Sequence, residues 1–556
     1  MSRKLIGIFA GGALLVPGLL VPSALLIELL HGPAGELQQQ LMLGAALFRG
    51  VLVVTGLYFI LLGFLPFAGT SRDREEMVEA GSGARLLILL ALVILAFVAR
   101  LYRLDQGIWL DEIFAYVHYV SQSAGRIFTT FDDPNNHLFY TLSASLSIDL
   151  FGEGTWALRL PAAVFGVACV PALYYFARQV SSVRESLFSA ALLAFAYHHV
   201  WFSQNARGYT ALLFFSLLSS AFLVRAMRSG SMREWLFYAV AAALGVMTHL
   251  TMGFVSVAQF AVYMAPIVTG RSAQQGLDRW SGFLGGFVTG GLLSILAYAF
   301  VLPQMLGGGL VSGTEGTVEE WTNPVWMVLE VIRGLQIGFA GGLVALVAFT
   351  VFALGMIDYS RKQPVVPALL LVSSVLGFLV MISINYTLFP RFFFFAMGFA
   401  VIIVIRGAML TGTGIGRLLR LPRAENGWPG SVLCAGLVAV AVLSMPLAYG
   451  PKQDYEGALQ FVERERVAGD TVVTVGIADY PYGSFYSTDW VAVDSLEKLN
   501  KVRAQSSRTW MVYTMPMHTE SAFPDIFASL EKDFDVVERF PGTLNGGEVV
   551  VCRTRL

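Results

Sequence analysis

Long apolar runs, separated by short loops that carry arginine on every second turn, constrain this chain more than any other feature. About twenty apolar residues make a helix that crosses a bilayer. Inside hydrocarbon a backbone must satisfy its own hydrogen bonds, so such runs fold as helices. A window of that width finds about thirteen of them, at residues 5–30, 41–67, 86–101, 156–176, 187–202, 209–224, 235–250, 253–268, 283–302, 337–357, 367–384, 392–405 and 431–449. The chain therefore reads as a polytopic membrane protein. The first run follows Ser2-Arg3-Lys4. It is too long for the apolar region of a secretory leader and has no small-residue cleavage site, so it reads as a retained span.

Lysine and arginine set the orientation. With Arg3 and Lys4 inside, the alternate loops hold Arg72, Arg74 and Arg85, then Arg178 and Arg184, Arg225 to Arg233, Arg271 and Arg279, Arg361 and Lys362, and Arg406 to Arg423. The opposite loops are poor in positive charge. This alternation predicts that the polar stretch at residues 102–155 and everything after Tyr449 lie outside the cytoplasm, in a multi-pass protein of the cytoplasmic (inner) membrane.

The tail changes character. Residues 451–556 hold the strand-like runs TVVTVGI, TWMVYT and EVVVCRT, with the helical patterns SLEKLNKVRAQ and FPDIFASLEKDF between them. Strands alternating with helices predict a small α/β domain. The expected division is two N-terminal spans over residues 1–70, a transmembrane core over 71–450 and this outer domain over 451–556.

The polar stretch at 102–155 is the anomaly of a greasy chain. It opens RLDQGIWLDEIFAYVHYV and continues FDDPNNHLFYTL. Ionisable side chains beside a membrane are costly unless solvated or functional. Asp111 and Glu112 are neighbouring carboxylates, and a carboxylate at a low-dielectric boundary suits general-base work. The plain alternative is a charged helix start. Asp133, Asn136 and His137 follow a turn at Pro134. Asn and Asp can bind sugar hydroxyls and His137 can bind an anion, or the segment can be turn chemistry alone. If residues 110–120 are helical, Asp111, Phe114 and Tyr119 fall on neighbouring turns.

Two arginines in very short outer loops run against the charge rule. Arg207, in FSQNARGYTALL, and Arg391, in LFPRFFFF, both lie on the outer side. An arginine there suits an anionic partner, and a lipid-linked phosphate is one; Arg391, followed by four phenylalanines, could equally stack or snorkel at the interface. Tyr209 beside Arg207 fits the same site or an interfacial aromatic belt. Arg159, at the mouth of a span, reads as reaching for headgroups. The acidic loop at Glu315, Glu319 and Glu320 is long enough to act as a lid.

The net charge of −1 gives no sign of a nucleic-acid partner. Three scattered cysteines form neither a disulfide framework nor a metal site. One His among scattered Asp is poor metal spacing, so no metal ligand is assigned, although the acidic loop leaves room for a divalent cation.

Taken together, WLDE, NNHLFY, FGEGTWALRLPAAVFGV, FSQNARGYTALL and LFPRFFFF resemble the GT-C membrane glycosyltransferases, in the group of protein O-mannosyltransferases and lipid A aminoarabinose transferases. The resemblance implies an inverting transfer of a sugar from a polyprenyl-phosphate donor to a lipid, glycan or protein acceptor on the outer face. By motif match Asp111 would be the general base and Glu112 its partner, with Arg207 and Arg391 toward the donor phosphate. Those relatives usually begin with the span before the Asp111-Glu112 loop, whereas two extra spans precede it here, and Asn136-His137-Leu138 stands where those relatives tend to carry His-Pro-Pro or Lys-Pro-Pro. The competing class, a transporter or lipid flippase, would place ionisable residues at mid-span and repeat its halves; the sequence has few central charges and no repeated half.

Overall fold

A computed structural model describes residues 2–33, 35–65, 82–269, 280–310, 319–338 and 342–555. The protein is mostly helical, with a small C-terminal sheet domain. Among the described residues nine helices are long and apolar enough to cross a membrane. The helical segments Val183–Phe195 with Tyr197–Ser203, Met232–Thr248, Met252–Val268 and Gly342–Lys362 fall on the other expected spans. The charged loop around Arg72 and Arg74, together with Arg271, Arg279 and Glu315, lies outside the described residues.

Two expected spans are broken. The run at 5–30 becomes Arg3–Leu20 and Ser23–Leu30. Pro22 has no N–H to continue the ladder and holds Val21 extended at φ −85°, ψ 116°. The run at 187–202 breaks at Ala196, which is extended at φ −60°, ψ 126°. The Arg3–Leu20 helix packs antiparallel on Gln38–Phe64 through small residues. A Cβ at Gly7 would sit 2.7 Å from the Phe59 carbonyl oxygen, so the backbones meet only because that side chain is absent.

The polar stretch folds as Leu110–Ala115, a π-helical turn at Tyr116–Val120, Ala124–Thr129 and the apolar helix Leu138–Phe151. Phe114 stacks on His118 across the π turn, ring centres 5.0 Å apart.

The C-terminal sheet has five strands, β1 (Asp470–Val475), β2 (Val491–Val493), β3 (Arg508–Thr514), β4 (Phe534–Phe540) and β5 (Val549–Thr554). Their order is β2-β1-β3-β5-β4, with β2-β1-β3 parallel and β5 antiparallel to both its neighbours. β1, β3 and β5 are the runs the sequence predicts. β2 is three residues long and β4 mostly exposed, so neither shows an apolar pattern. One apolar cluster joins this domain to the polar stretch: Ile108, Ile113, Val120 and Tyr140 pack with Tyr455, Val462, Val472 and Trp510. The loop that carries Asp111 thus shares a core with the C-terminal domain.

Candidate active site

Asp111 and Glu112 are adjacent in sequence and opposite in circumstance. Glu112 is fully buried. Its Oε1 accepts Arg159 Nε at 2.8 Å and the Ala206 N–H at 2.6 Å. Its Oε2 accepts Arg159 Nη2 at 2.5 Å and the Trp109 N–H at 3.4 Å. Burial pushes this carboxyl up, but Arg159, Lys452 and the Ala206 N–H outweigh it and hold the group below its ordinary range. Arg159 is 2% exposed, so it does not reach for headgroups. Its remaining donors go to the carbonyls of Leu104, Gln106 and Gly107. With a carboxylate and three carbonyls to hand, the guanidinium finds inside the protein what it would otherwise seek at the surface. The Glu112–Arg159 pair pins both ends of the loop before Asp111.

Asp111 is left open. Its Oδ2 is buried and accepts no hydrogen bond among the described residues. The nearest cation is Arg391 Nη1 at 3.4 Å, an ion pair too poorly aligned to be a hydrogen bond. Leu110, just before it, donates its N–H to Gln453 Oε1 at 3.2 Å, and Gln453 Nε2 reaches Thr514 on β3 at 3.2 Å. The helix start that aims Asp111 is therefore tied directly to the C-terminal sheet.

Arg391 follows Pro390, and its guanidinium lies 4.3 Å from the Phe389 ring centre. Arg207 is 4% exposed and donates Nη2 to Asn135 Oδ1 at 2.6 Å. Asp133 Oδ1 accepts the Asn135 N–H at 2.7 Å, which fixes that turn, and burial raises the Asp133 carboxyl. Asn136 donates its amide to the carbonyls of Ile127 and Thr130 and closes the loop. His137 accepts the Gly208 N–H on Nδ1 at 3.1 Å and packs edge to face with Tyr209 at 5.7 Å. Arg207 Nε, Arg391 Nε and the Tyr209 hydroxyl are buried donors without a partner among the described residues.

The structure thus sets Asp111 against Arg391 and clusters Arg207, His137 and Tyr209. It sets Glu112 and Asn136 into the framework beneath. Three residues in or under this site are not singled out by the sequence reading. His249 lies 4.7 Å from His137 and 5.5 Å from Tyr209, ring centre to ring centre. Lys452 donates to the Gln204 carbonyl at 2.5 Å and lies 5.2 Å from the Trp201 ring centre. Gln453 is the tie described above. The signal for Lys452 is present in the sequence: it stands just after the last span, on the side where positive charge is scarce, as Arg207 and Arg391 do. For His249 the signal is a histidine in a very short turn between two apolar runs. Among the described residues no cluster of His, Cys, Asp and Glu is arranged to hold a metal ion.

Residues 136–275 match the model of the dolichyl-phosphate-mannose-protein mannosyltransferase family. That segment runs from the loop below Asp111 through Arg207 and His249. The chain carries nine candidate membrane spans among the described residues. It is similar in structure to ArnT from Cupriavidus metallidurans bound to undecaprenyl phosphate, at 13% identity over 85% of this chain and 98% of that one, TM-score 0.47. It is similar also to the oligosaccharyltransferase AglB from Archaeoglobus fulgidus with an inhibitory peptide and a dolichol-phosphate, at 10% identity over 84% and 74%, TM-score 0.48. A third is the arabinosyltransferase EmbB from Mycobacterium smegmatis, at 13% identity over 72% and 45%, TM-score 0.44. No curated protein matches the chain.

Proposed function

We propose that this protein is a GT-C-type membrane glycosyltransferase that moves a sugar, with inversion, from a polyprenyl-phosphate donor to an acceptor hydroxyl on the outer face of the cytoplasmic membrane. The observation that carries the reading is the pairing of one open acceptor with several open donors among neighbouring buried side chains. Asp111 Oδ2 lacks a donor, while Arg207 Nε, Arg391 Nε and Tyr209 Oη lack an acceptor. Buried polar atoms left so cost roughly 1–3 kcal/mol each unless a ligand satisfies them.

The chemistry follows from those atoms. Asp111 takes the proton of the acceptor O–H as that oxygen bonds to the anomeric carbon. The bond from that carbon to the phosphate oxygen breaks on the opposite side, which inverts the centre. A phosphodiester carries one negative charge and the released monoester up to two. Donors aimed at that oxygen therefore bind the transition state more strongly than the substrate. Arg207 and Arg391 are the residues placed for this, with His137 and Tyr209 beside them. Asp133 serves by fixing Asn135, which in turn orients Arg207.

The acceptor is a lipid, glycan or protein hydroxyl. In this reading residues 71–450 form the transferase core with its outer loop at 102–155. Residues 1–70 add a helical hairpin, and 451–556 form an outer domain that holds the Asp111 helix in place. The test is to incubate purified enzyme in nanodiscs with polyprenyl-phosphoryl mannose, glucose, arabinose and aminoarabinose in turn. Release of polyprenyl phosphate from one of them, with an inverted anomer in the product, supports the reading; no release from any of them opposes it.

A further inference from the structure

Two histidines stand beside Arg207 and Tyr209, and the backbone fixes the proton on each. His137 Nδ1 accepts the Gly208 N–H at 3.1 Å. His249 Nδ1 accepts the Thr251 N–H at 3.2 Å and has the Thr251 hydroxyl at 2.8 Å. A backbone N–H only donates, so each Nδ1 is the bare nitrogen and each neutral ring carries its hydrogen on Nε2.

That assignment creates a mismatch at His137. Its Nε2 lies 3.3 Å from Arg207 Nη2. Both groups donate, and they face each other at hydrogen-bond distance with nothing between them to accept. Both residues are buried, 5% and 4% exposed. Arg207 Nε and the Tyr209 hydroxyl add two more open donors. His249 completes the ring: it lies 4.7 Å from His137, 5.5 Å from Tyr209 and 6.2 Å from Phe392, next to Arg391.

We propose that His249 and His137 act as a pair of neutral Nε2–H donors to the phosphate of the lipid-linked substrate. The inference rests on the donor-site reading above. It adds His249 to the site and states what the site selects, a fully ionised phosphate oxyanion. The titratable and charged groups facing the pair are few. They are Asp133 on the loop below, Tyr209 and Arg207 at the start of Tyr209–Ser229, Tyr386 and Arg391 on the segment opposite, and Asp111 beside Arg391. Burial, Arg207 and Arg391 hold His249 down at about 3 and push His137 well below its ordinary value. Both rings therefore stay neutral through the physiological range. A phosphate keeping its own proton would present a donor to a wall of donors. The lipid phosphate released by transfer is a monoester whose second ionisation lies near pH 6, so its affinity should follow the phosphate and not the histidines.

The probe is undecaprenyl phosphate, titrated into enzyme in nanodiscs at pH 5 and pH 7. Wild type is expected to bind about tenfold more tightly at pH 7, as the dianion fraction rises. His249→Ala is expected to lose roughly ten- to a hundredfold, the range for one charge-assisted hydrogen bond. Tighter binding at pH 5 would mean that cationic histidines hold the phosphate, and would overturn the inference. So would wild-type affinity in His249→Ala. If that variant fails to fold, ¹⁵N-histidine spectra of the wild type decide: a bare Nδ1 at His249 and an Nε2–H signal that moves on adding undecaprenyl phosphate are expected, and a protonated Nδ1 or an unmoved Nε2 overturns it. Arg207→Ala and Arg391→Ala separate the two readings. If they bind like wild type the donor site itself is misplaced; if they lose binding while His249→Ala keeps it, only the histidine role falls.

Discussion

Arg391 Nη1 stands 3.4 Å from Asp111 Oδ2, and these residues come from segments 280 positions apart in a chain of 556 (391 − 111). The pair joins a carboxylate that lacks a hydrogen-bond donor to a guanidinium that still has one to give. In the proposed transfer Arg391 would also face the donor phosphate, so one contact would link the two halves of that reaction.

The arginines are expected to act through the donor. Arg207→Ala and Arg391→Ala should each weaken use of the lipid-phosphate donor by roughly 1.5–3 kcal/mol, read as a rise in the KM for donor with expression nearly intact. Lysine at either position should restore only part of this, because it lacks the planar fork. Full transfer by both alanine variants at limiting donor would show that they are interfacial anchors.

Glu112→Gln should act on stability. It leaves the Arg159 guanidinium buried beside a neutral amide, and breaking a buried ion pair costs about 3–5 kcal/mol. The expected result is an apparent melting temperature well below that of Asp111→Asn. Unchanged melting with lost turnover would make Glu112 part of the chemistry.

Lys452 predicts a pH dependence. Burial and then Arg159 lower its ammonium to about 7, although Glu112 pulls the other way. In the unfolded chain the group titrates near 10.4. Between those values the unfolded state binds more protons, so stability should rise with pH from about 7 to about 10. Lys452→Met should flatten that rise in a thermal melt; an equal slope in both proteins would show that another group is responsible.

Orientation can be checked by labelling. All three native cysteines are buried, so background is low. A cysteine at exposed Ser487, in the C-terminal domain, should react with an impermeant maleimide on intact cells, and one at exposed Ser360 should not. The opposite pattern would move the site to the cytoplasmic face.

Much of the helical plan was legible in the sequence, because apolar length and loop charge follow from the bilayer itself. The breaks at Pro22 and Ala196 were not: both lie inside runs whose hydropathy is continuous, and backbone geometry decides them. The polar stretch, Arg207 and Arg391 stood out because they put charge in loops that alternate with the arginine-rich ones. Asp111 and Glu112 could not be told apart by spacing. What separates them is Arg159 and the Ala206 N–H, which are 47 and 94 positions away. The tie from Gln453 to Leu110 was equally hidden, since it spans 343 positions.

The measurement that tests the account most directly is donor turnover by Asp111→Asn in nanodiscs, with undecaprenyl phosphate binding measured in parallel. Asparagine keeps the size of the side chain but loses the charge that takes the proton. The account predicts a folded protein that binds undecaprenyl phosphate and transfers sugar roughly 10²–10⁴-fold more slowly. Wild-type turnover by Asp111→Asn would contradict it.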